Sequence, residues 1–329
     1  MLGEERFDFK DAGTCPILEP GFAQVVLDLV KAAFTHELNI GTVGGRRHGP
    51  NGSFERSRVP LLWPSVAPFL VINPRSGKGS PTADELAAEA RAMGVETHVM
   101  REGEDPVELA RASTAEVLGM AGGDGSLASV AEVALERDAA FVCIPFGTRN
   151  HFARDLGLDR DDPIGALRAF VGGTERRIDV GHANGRIFLN NVSLGVYARL
   201  VHRREGHRRR REAFARIRAW AIVLTHRHPL GITIDGDAVE SRLVLVANNA
   251  YVVELPSLGE RERLDEGKLH LYTPGTDPPE RVGERFVIAA EAKRLEAAID
   301  GEPDVLETPM EFRVEPGALC VLVPPAESG

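Results

Sequence analysis

Between residues 117 and 158 the chain concentrates side chains and glycines suited to handling phosphate. An apolar run ends in Gly122-Gly123-Asp124-Gly125-Ser126. A segment of helical period follows, with Leu127, Val130, Ala131, Val133 and Ala134 on one face. A second apolar run, residues 139–144, ends in Pro145-Phe146-Gly147-Thr148-Arg149-Asn150. Glycines where strands end let backbone N–H groups approach a phosphate closely. A helix opening at Ser126 adds free N–H groups and the positive end of its dipole. The spacing therefore predicts a polyphosphate cradle with Asp124 in its middle. A carboxylate is a poor direct ligand for phosphate, which assigns Asp124 to Mg²⁺ or to a metal-bound water. Asp-Gly is also a hairpin signal, but a hairpin would be followed by a strand of period two rather than a helix.

Such loops need strands that end together. Residues 68–72, 95–100, 117–122 and 139–144 read as buried strands, and 82–93 and 106–113 as the helices between them. The order βαβαβαβ predicts parallel strands with right-handed crossovers, an α/β domain over 66–173 that binds ligands at the carboxyl ends of its strands. The first strand runs into Asn73-Pro74-Arg75-Ser76-Gly77-Lys78-Gly79. A P-loop would require glycine at position 72, which is isoleucine, so this is a donor-rich turn beside a lysine and not that motif.

From residue 174 the pattern becomes alternating or apolar, with segments at 177–183, 186–192, 230–234, 241–248, 268–272, 286–290, 294–299, 310–314 and 318–323. Turn signals such as Asn184-Gly185 and Asp235-Gly236 separate them. The expectation is a second, mostly antiparallel β-sandwich domain over 174–325, interrupted by a helical insertion at about 197–228. Nine arginines fall between Arg199 and Arg218 against Glu205 and Glu212. They form either a solvated helix–turn–helix surface or a contact to anionic lipid headgroups, the latter adding roughly 1 kcal/mol per basic residue.

With 329 residues the chain has room for two domains. A net charge of −10 argues against nucleic acid as a partner. Cys15, Cys143 and Cys320 are too dispersed for a disulfide or zinc framework. No apolar run reaches spanning length and no signal-peptide core follows Met1, so a cytoplasmic location is expected, with the arginine-rich segment as the place for peripheral membrane contact. Residues 1–65 form a poorly defined extension. Its segment 22–34 reads as an amphipathic helix packed on the body or a second subunit, and its segment 41–60 reads as a linker. The oligomeric state is left open.

The segments NPRSGKG, GGDGS, PFGTRNHFARDLG, RIDVGHANGRIFLNNVSLG, LDEGKLHLYTP and IDGEPDVLETP, in this order and spacing, resemble the diacylglycerol kinase catalytic-domain family, on the side of the bacterial YegS-like and soluble lipid kinases. The resemblance covers about 68–324. It implies an α/β nucleotide-binding domain like that of 6-phosphofructokinase and NAD kinase, a β-rich second domain, and an active site in the cleft. It implies transfer of the γ-phosphoryl group of ATP, with Mg²⁺, to the hydroxyl of a membrane lipid such as diacylglycerol or a sphingoid base. By motif match, ATP is bound by Asn73, Gly122, Gly123, Asp124, Gly125, Ser126, Ser129, Gly147, Thr148 and Asn150, and Asn191 completes the cleft. Glu302 matches the proton acceptor. A metal would be held by Glu266 with the backbone carbonyls of Arg263 and Lys268, and Asp124 would reach Mg²⁺ through water.

Two positions depart from the family pattern. His151 stands where aspartate is common, and Glu266 where the metal-site aspartate is expected, with Asp265 beside it. Two other readings compete with the ATP-dependent lipid kinase. An NAD kinase-like phosphotransferase shares the GGDG loop, but the segments after residue 177 favour the lipid kinases. The two departures motivate a catalytically inactive lipid- or nucleotide-binding homologue.

Overall fold

Four parallel strands, β1 (Phe69–Ile72), β2 (Glu96–Val99), β3 (Val117–Gly122) and β4 (Ala140–Pro145), lie side by side in the order β2-β1-β3-β4. The computed structural model describes residues 66–77, 79–148, 150–195, 229–251, 260–273 and 276–325. The extension 1–65 and the arginine-rich segment 197–228 lie outside the described residues, as do Lys78 and Arg149. All described residues fall in one compact unit.

Each helix between the strands starts on a local signal. Helix α1 (Ala83–Ala92) opens with a capping box, the Thr82 hydroxyl accepting from the Glu85 N–H while Glu85 accepts from the Thr82 N–H. Helix α2 (Pro106–Ala112) is capped by Asp105 with proline at its first position. Helix α3 (Asp124–Glu136) has Gly123 at its N-cap and no side-chain cap, which leaves its first N–H groups to the loop. Its periodic face is buried at Leu127, Val130, Ala131, Val133 and Ala134. Burial of a valine or leucine of this kind contributes about 1.5–3 kcal/mol. Helices cover both faces of the sheet. Residues of α2 and α3 pack on one side with Met120, Phe141 and Cys143. Leu86, Ala87 and Ala90 of α1 pack on the other with Leu70, Ile72 and Phe170. Two short helices follow β4, α4 (His151–Asp155) and α5 (Pro163–Ala166).

The remaining chain is β-structure. Strands β5 (Thr174–Ala183), β6 (Arg186–Phe188), β8 (Ile232–Ile234), β9 (Asp237–Val239), β13 (Arg285–Ala290) and β16 (Met310–Val323) extend the first sheet to ten strands. Strands β7 (Asn191–Gly195), β10 (Leu243–Asn248), β11 (Leu269–Tyr272), β12 (Glu280–Gly283), β14 (Arg294–Ile299) and β15 (Glu302–Glu307) form a six-stranded antiparallel sheet in the order β12-β11-β10-β7-β14-β15. Phe188, Phe286, Ile288 and Phe312 of the first sheet meet Val192, Leu194, Val244 and Leu271 of the second in a sandwich core. The expected α/β domain and antiparallel sandwich are both present.

Beyond strands β9, β12 and β15, which the sequence reading did not mark, three features differ from it. The stretch 186–192 is two strands rather than one, because the chain bends at Leu189-Asn190, turning both N–H groups to the Asp300 carboxylate and the Leu189 carbonyl to Arg261. The segments 310–314 and 318–323 are one strand, β16, whose register shifts between Glu315 and Leu319. The shift frees the Gly317 N–H, which donates to the Asp179 carboxylate at 2.8 Å. Finally, β16 runs parallel beside β4, pairing Val321 with Phe141, and antiparallel beside β5 and β13. The last strand of the chain thus joins the parallel sheet to the antiparallel strands, so one sheet is continuous across residue 173.

Candidate active site

The loops after β1, β3 and β4 converge at the carboxyl edge of the parallel sheet, and their glycines are the points of closest approach. A Cβ on Gly147 would lie 2.7 Å from the Gly123 Cα, so the second loop rests directly on the first. A Cβ on Gly77 would lie 2.8 Å from the Phe146 ring, so the loop after β1 leans on the same segment. Asn73 stabilises that loop by accepting from the Arg75 N–H at 3.1 Å.

Asp124 sits in the first turn of α3. Its Oδ1 accepts the Phe152 N–H at 3.1 Å and its Oδ2 the His151 N–H at 3.4 Å. The residue at 151 therefore meets Asp124 through its backbone. A carboxylate offers roughly four acceptor sites, and these two bonds leave the others for a cation or its water. Ser126 is half-buried beside Gly122, and the Ser129 hydroxyl donates to the Gly125 carbonyl at 3.1 Å. Thr148 is exposed.

Asn150 has a different part from the one its motif suggests. It is 1% exposed, at φ 50°, with its amide spent inside the loop. Its Oδ1 accepts from the Gly147 N–H at 2.8 Å, and its Nδ2 donates to the carbonyls of Gly147 at 3.0 Å and Arg160 at 3.1 Å. The side chain shapes the loop from below.

The second sheet delivers Glu302 to these loops. β14 and β15 are joined by Asp300-Gly301, with Ile299 paired to Glu302 across a two-residue turn. Both turn residues have positive φ, 48° and 83°, the geometry that aspartate and glycine accept in tight hairpins. This turn aims Glu302 at the glycine loop after β3. A Cβ on Gly125 would lie 2.5 Å from Glu302 Cγ and 2.8 Å from its Oε1. The two sequence-marked acids, Asp124 and Glu302, thus stand on either side of one glycine.

Asp300, two residues before Glu302, is buried and accepts three successive backbone N–H groups: Leu189 at 2.8 Å, Asn190 at 2.7 Å and Asn191 at 3.0 Å. Burial outweighs these bonds and pushes its carboxyl up to about 6, with the charge of Asp124 adding to the rise. Asn191, expected to complete the cleft, donates through Nδ2 to the Tyr251 hydroxyl at 2.7 Å. Burial raises that phenol to about 12, so it stays protonated at neutral pH.

Sequence reasoning missed Arg261, which is 4% exposed. Its Nε donates to Asp155 Oδ2 at 2.7 Å, its Nη1 to the carbonyls of Leu189 at 2.6 Å and Asn248 at 3.0 Å, and its Nη2 to Asn190 Oδ1 at 2.6 Å. Arg154 donates to the other oxygen of Asp155 at 2.8 Å. Nothing in the local composition around Arg261 distinguishes it from a surface arginine.

Of the groups implied for a metal, the Glu266 carboxylate and the Lys268 carbonyl already accept backbone N–H groups, the carbonyl that of Asn249 at 3.0 Å. Glu266 Oε2 accepts the Ala250 N–H at 3.0 Å and lies 3.2 Å from His270 Nε2. Asp265 pairs with the Arg263 guanidinium at 3.1 Å, and Lys268 Nζ with Glu284 at 2.6 Å. The oxygens of Asp179 accept the N–H groups of Gly267 at 2.6 Å and Gly317 at 2.8 Å. The acids here bind turns together through N–H donors. Among the described residues, no group of three or more His, Cys, Asp or Glu side chains is arranged to hold a metal ion.

Residues 68–183 match the family model described as the diacylglycerol kinase catalytic domain. Over 84 residues the chain is 37% identical to the diacylglycerol kinase of Bacillus subtilis strain 168, covering 25% of this chain and 28% of that protein. Over 98 residues it is 41% identical to the "Probable lipid kinase YegS-like" of Pseudomonas aeruginosa, covering 29% of this chain and 32% of that one. The matched region thus spans about a third of the length of these relatives. A crystal structure described as a diacylglycerol kinase from Bacillus anthracis str. Sterne superposes with a TM-score of 0.59 over 79% of this chain and 98% of that chain, at 21% identity. That likeness is one of fold. The resemblance to the diacylglycerol kinase and YegS-like lipid kinase family, read from the motifs, is borne out.

Proposed function

We propose that this chain, with the diacylglycerol kinase catalytic domain over residues 68–183 as its premise, is an ATP-dependent kinase that phosphorylates a lipid hydroxyl. The observation that carries the reading is the contact of Glu302 with Gly125, which sets a carboxylate against the loop built for polyphosphate. ATP would lay its phosphates on the N–H groups of 122–126 and the open N-terminus of α3. Asp124 would hold the Mg²⁺ that accompanies the nucleotide, directly or through water, and the ion would offset the charge on the phosphates. Glu302 accepts the proton of the lipid hydroxyl as its oxygen forms the bond to the γ-phosphorus. The bond from that phosphorus to the β–γ bridging oxygen breaks, and ADP leaves with the electron pair. Position 151 serves this arrangement by its N–H, so histidine there is compatible with the reading.

Among the described residues no helix is long and apolar enough to cross a membrane. A lipid acceptor would be met at a membrane surface, and the nine arginines between Arg199 and Arg218 are the charge the sequence offers for that contact. The test is phosphoryl transfer from labelled ATP into a mixed lipid extract with Mg²⁺, comparing wild type with Glu302→Gln. A labelled lipid made by wild type and lost in the variant supports the kinase, and its mobility names the acceptor class. No labelled lipid from a protein that binds ATP overturns it in favour of a non-catalytic homologue.

A further inference from the structure

One acid of the site opens helix α3 and the other opens strand β15 of the second sheet, yet a continuous chain of bonds runs between them. Asp124 holds the first N–H groups of α4. Asp155, at the end of that five-residue helix, holds Arg261. Arg261 holds the carbonyl of Leu189 and the side chain of Asn190. The N–H groups of Leu189, Asn190 and Asn191 are held by Asp300, two residues before Glu302. Glu302 returns to Gly125, the neighbour of Asp124. The ring closes.

We propose that Arg261 is a positioning residue that sets where Glu302 stands relative to the GGDG loop, by clamping the bend at 189–190 between α4 and the Asp300 turn. This rests on the kinase reading above and names the residue that registers the base against the nucleotide.

Three features of the geometry support a positioning part over simple packing. The guanidinium engages four acceptors from three separate stretches of chain, all between 2.6 and 3.0 Å. Its side chain and that of Asp155 are 0% and 2% exposed, so the bonds are not shared with solvent. Two of its partners, Leu189 and Asn190, are the residues at which the stretch 186–192 breaks into β6 and β7. That bend turns three consecutive N–H groups toward one carboxylate, and the carboxylate fixes the turn that carries the base. A planar fork can hold both the ion pair and the bend, whereas the single ammonium of lysine cannot reach all four acceptors. A displacement of about 1 Å between reacting groups costs on the order of 10²-fold in rate.

The test compares Arg261→Met and Arg261→Lys with wild type. It measures kcat for lipid phosphorylation, the Kd for an ATP analogue, and amide hydrogen exchange at residues 189–191. The expected result is a folded protein whose kcat falls about 10²-fold while the Kd changes less than about threefold, with faster exchange at 189–191. Should Arg261→Met fail to fold, Arg261→Lys keeps a positive charge beside Asp155 and carries the test. Unchanged kcat in a folded variant overturns the proposal. So does a parallel loss of kcat and ATP affinity, which is the mark of a merely structural residue. If wild type phosphorylates no lipid, the kinase reading falls by itself. Exchange at 189–191 then decides the clamp, acceleration in the variants supporting it and no change overturning it.

Discussion

Glu302 and Gly125 are in contact because residue 125 has no side chain: the Cγ of the acid lies 2.5 Å from where a Cβ would stand. The obstructing atoms belong to an exposed side chain that can rotate away. Gly125→Ala should therefore leave the fold intact, and in the first turn of α3 alanine adds up to about 1 kcal/mol of helix propensity. The cost falls on the aim of Glu302, and kcat should drop on the order of 10²-fold. Thermal unfolding alongside single-turnover phosphorylation separates the two effects; a variant with full activity would remove Glu302 from the chemistry.

Asn150 should behave as a loop strut. Asn150→Ala strips the partners from Gly147 and the Arg160 carbonyl and puts alanine at φ 50°, costing roughly 2–4 kcal/mol. Asn150→Gly removes the same bonds but accepts the backbone, and should recover about 1 kcal/mol of that loss. Both should weaken ATP binding, since the loop that rests on Gly123 is no longer held. Urea unfolding and an ATP-analogue titration check this order. Equal stability of the two variants would show that the positive φ carries no cost.

Asp300 supplies a pH dependence of definite sign. Its carboxyl is raised from 3.8 to about 6 in the folded protein, so between those values the native state binds the extra proton. The associated stabilisation is complete below about 4 and is lost as the pH rises through about 6, a change on the order of 3 kcal/mol. The stability gap between wild type and Asp300→Ala should accordingly narrow from pH 4.5 to pH 7. A gap that widens over that interval would mean that the three N–H bonds outweigh burial.

Ion pairs and N–H bonds around Glu266 hold the turn at 265–268, and these should suffice without a divalent cation. The unfolding temperature of the nucleotide-free protein should be the same in EDTA as in excess Mg²⁺, while binding of the ATP analogue should require Mg²⁺. A rise of several degrees with Mg²⁺ alone would restore a metal to that turn.

The parts legible in sequence are those whose causes are local. The period of α3 and the Gly-Gly-Asp-Gly that precedes it lie within one stretch of chain, and so do the Asp-Gly hairpin and the Asn184-Gly185 and Asp235-Gly236 turns. Backbone sterics and hydrophobic periodicity act over a few residues, and the chain writes them in order. The motifs could likewise mark Asp124 and Glu302 as a pair, although 178 positions separate them.

What each polar group near them does was decided only in three dimensions. Arg261 finds its partners 106, 72 and 71 positions away, and a buried arginine differs from a surface one by those partners alone. Asp300 and Glu302 are two residues apart, yet one is sealed under three N–H groups and the other lies on Gly125. The same holds for Asn150, whose amide is consumed within its loop, and for Glu266, whose carboxylate holds a backbone N–H. The last strand slips in beside β4 because the sheet edge left there needs hydrogen-bond partners, and a strand from any distance along the chain can supply them. Local sequence could say which residues are able to do chemistry; burial and long-range hydrogen bonding decided which of them are free to do it.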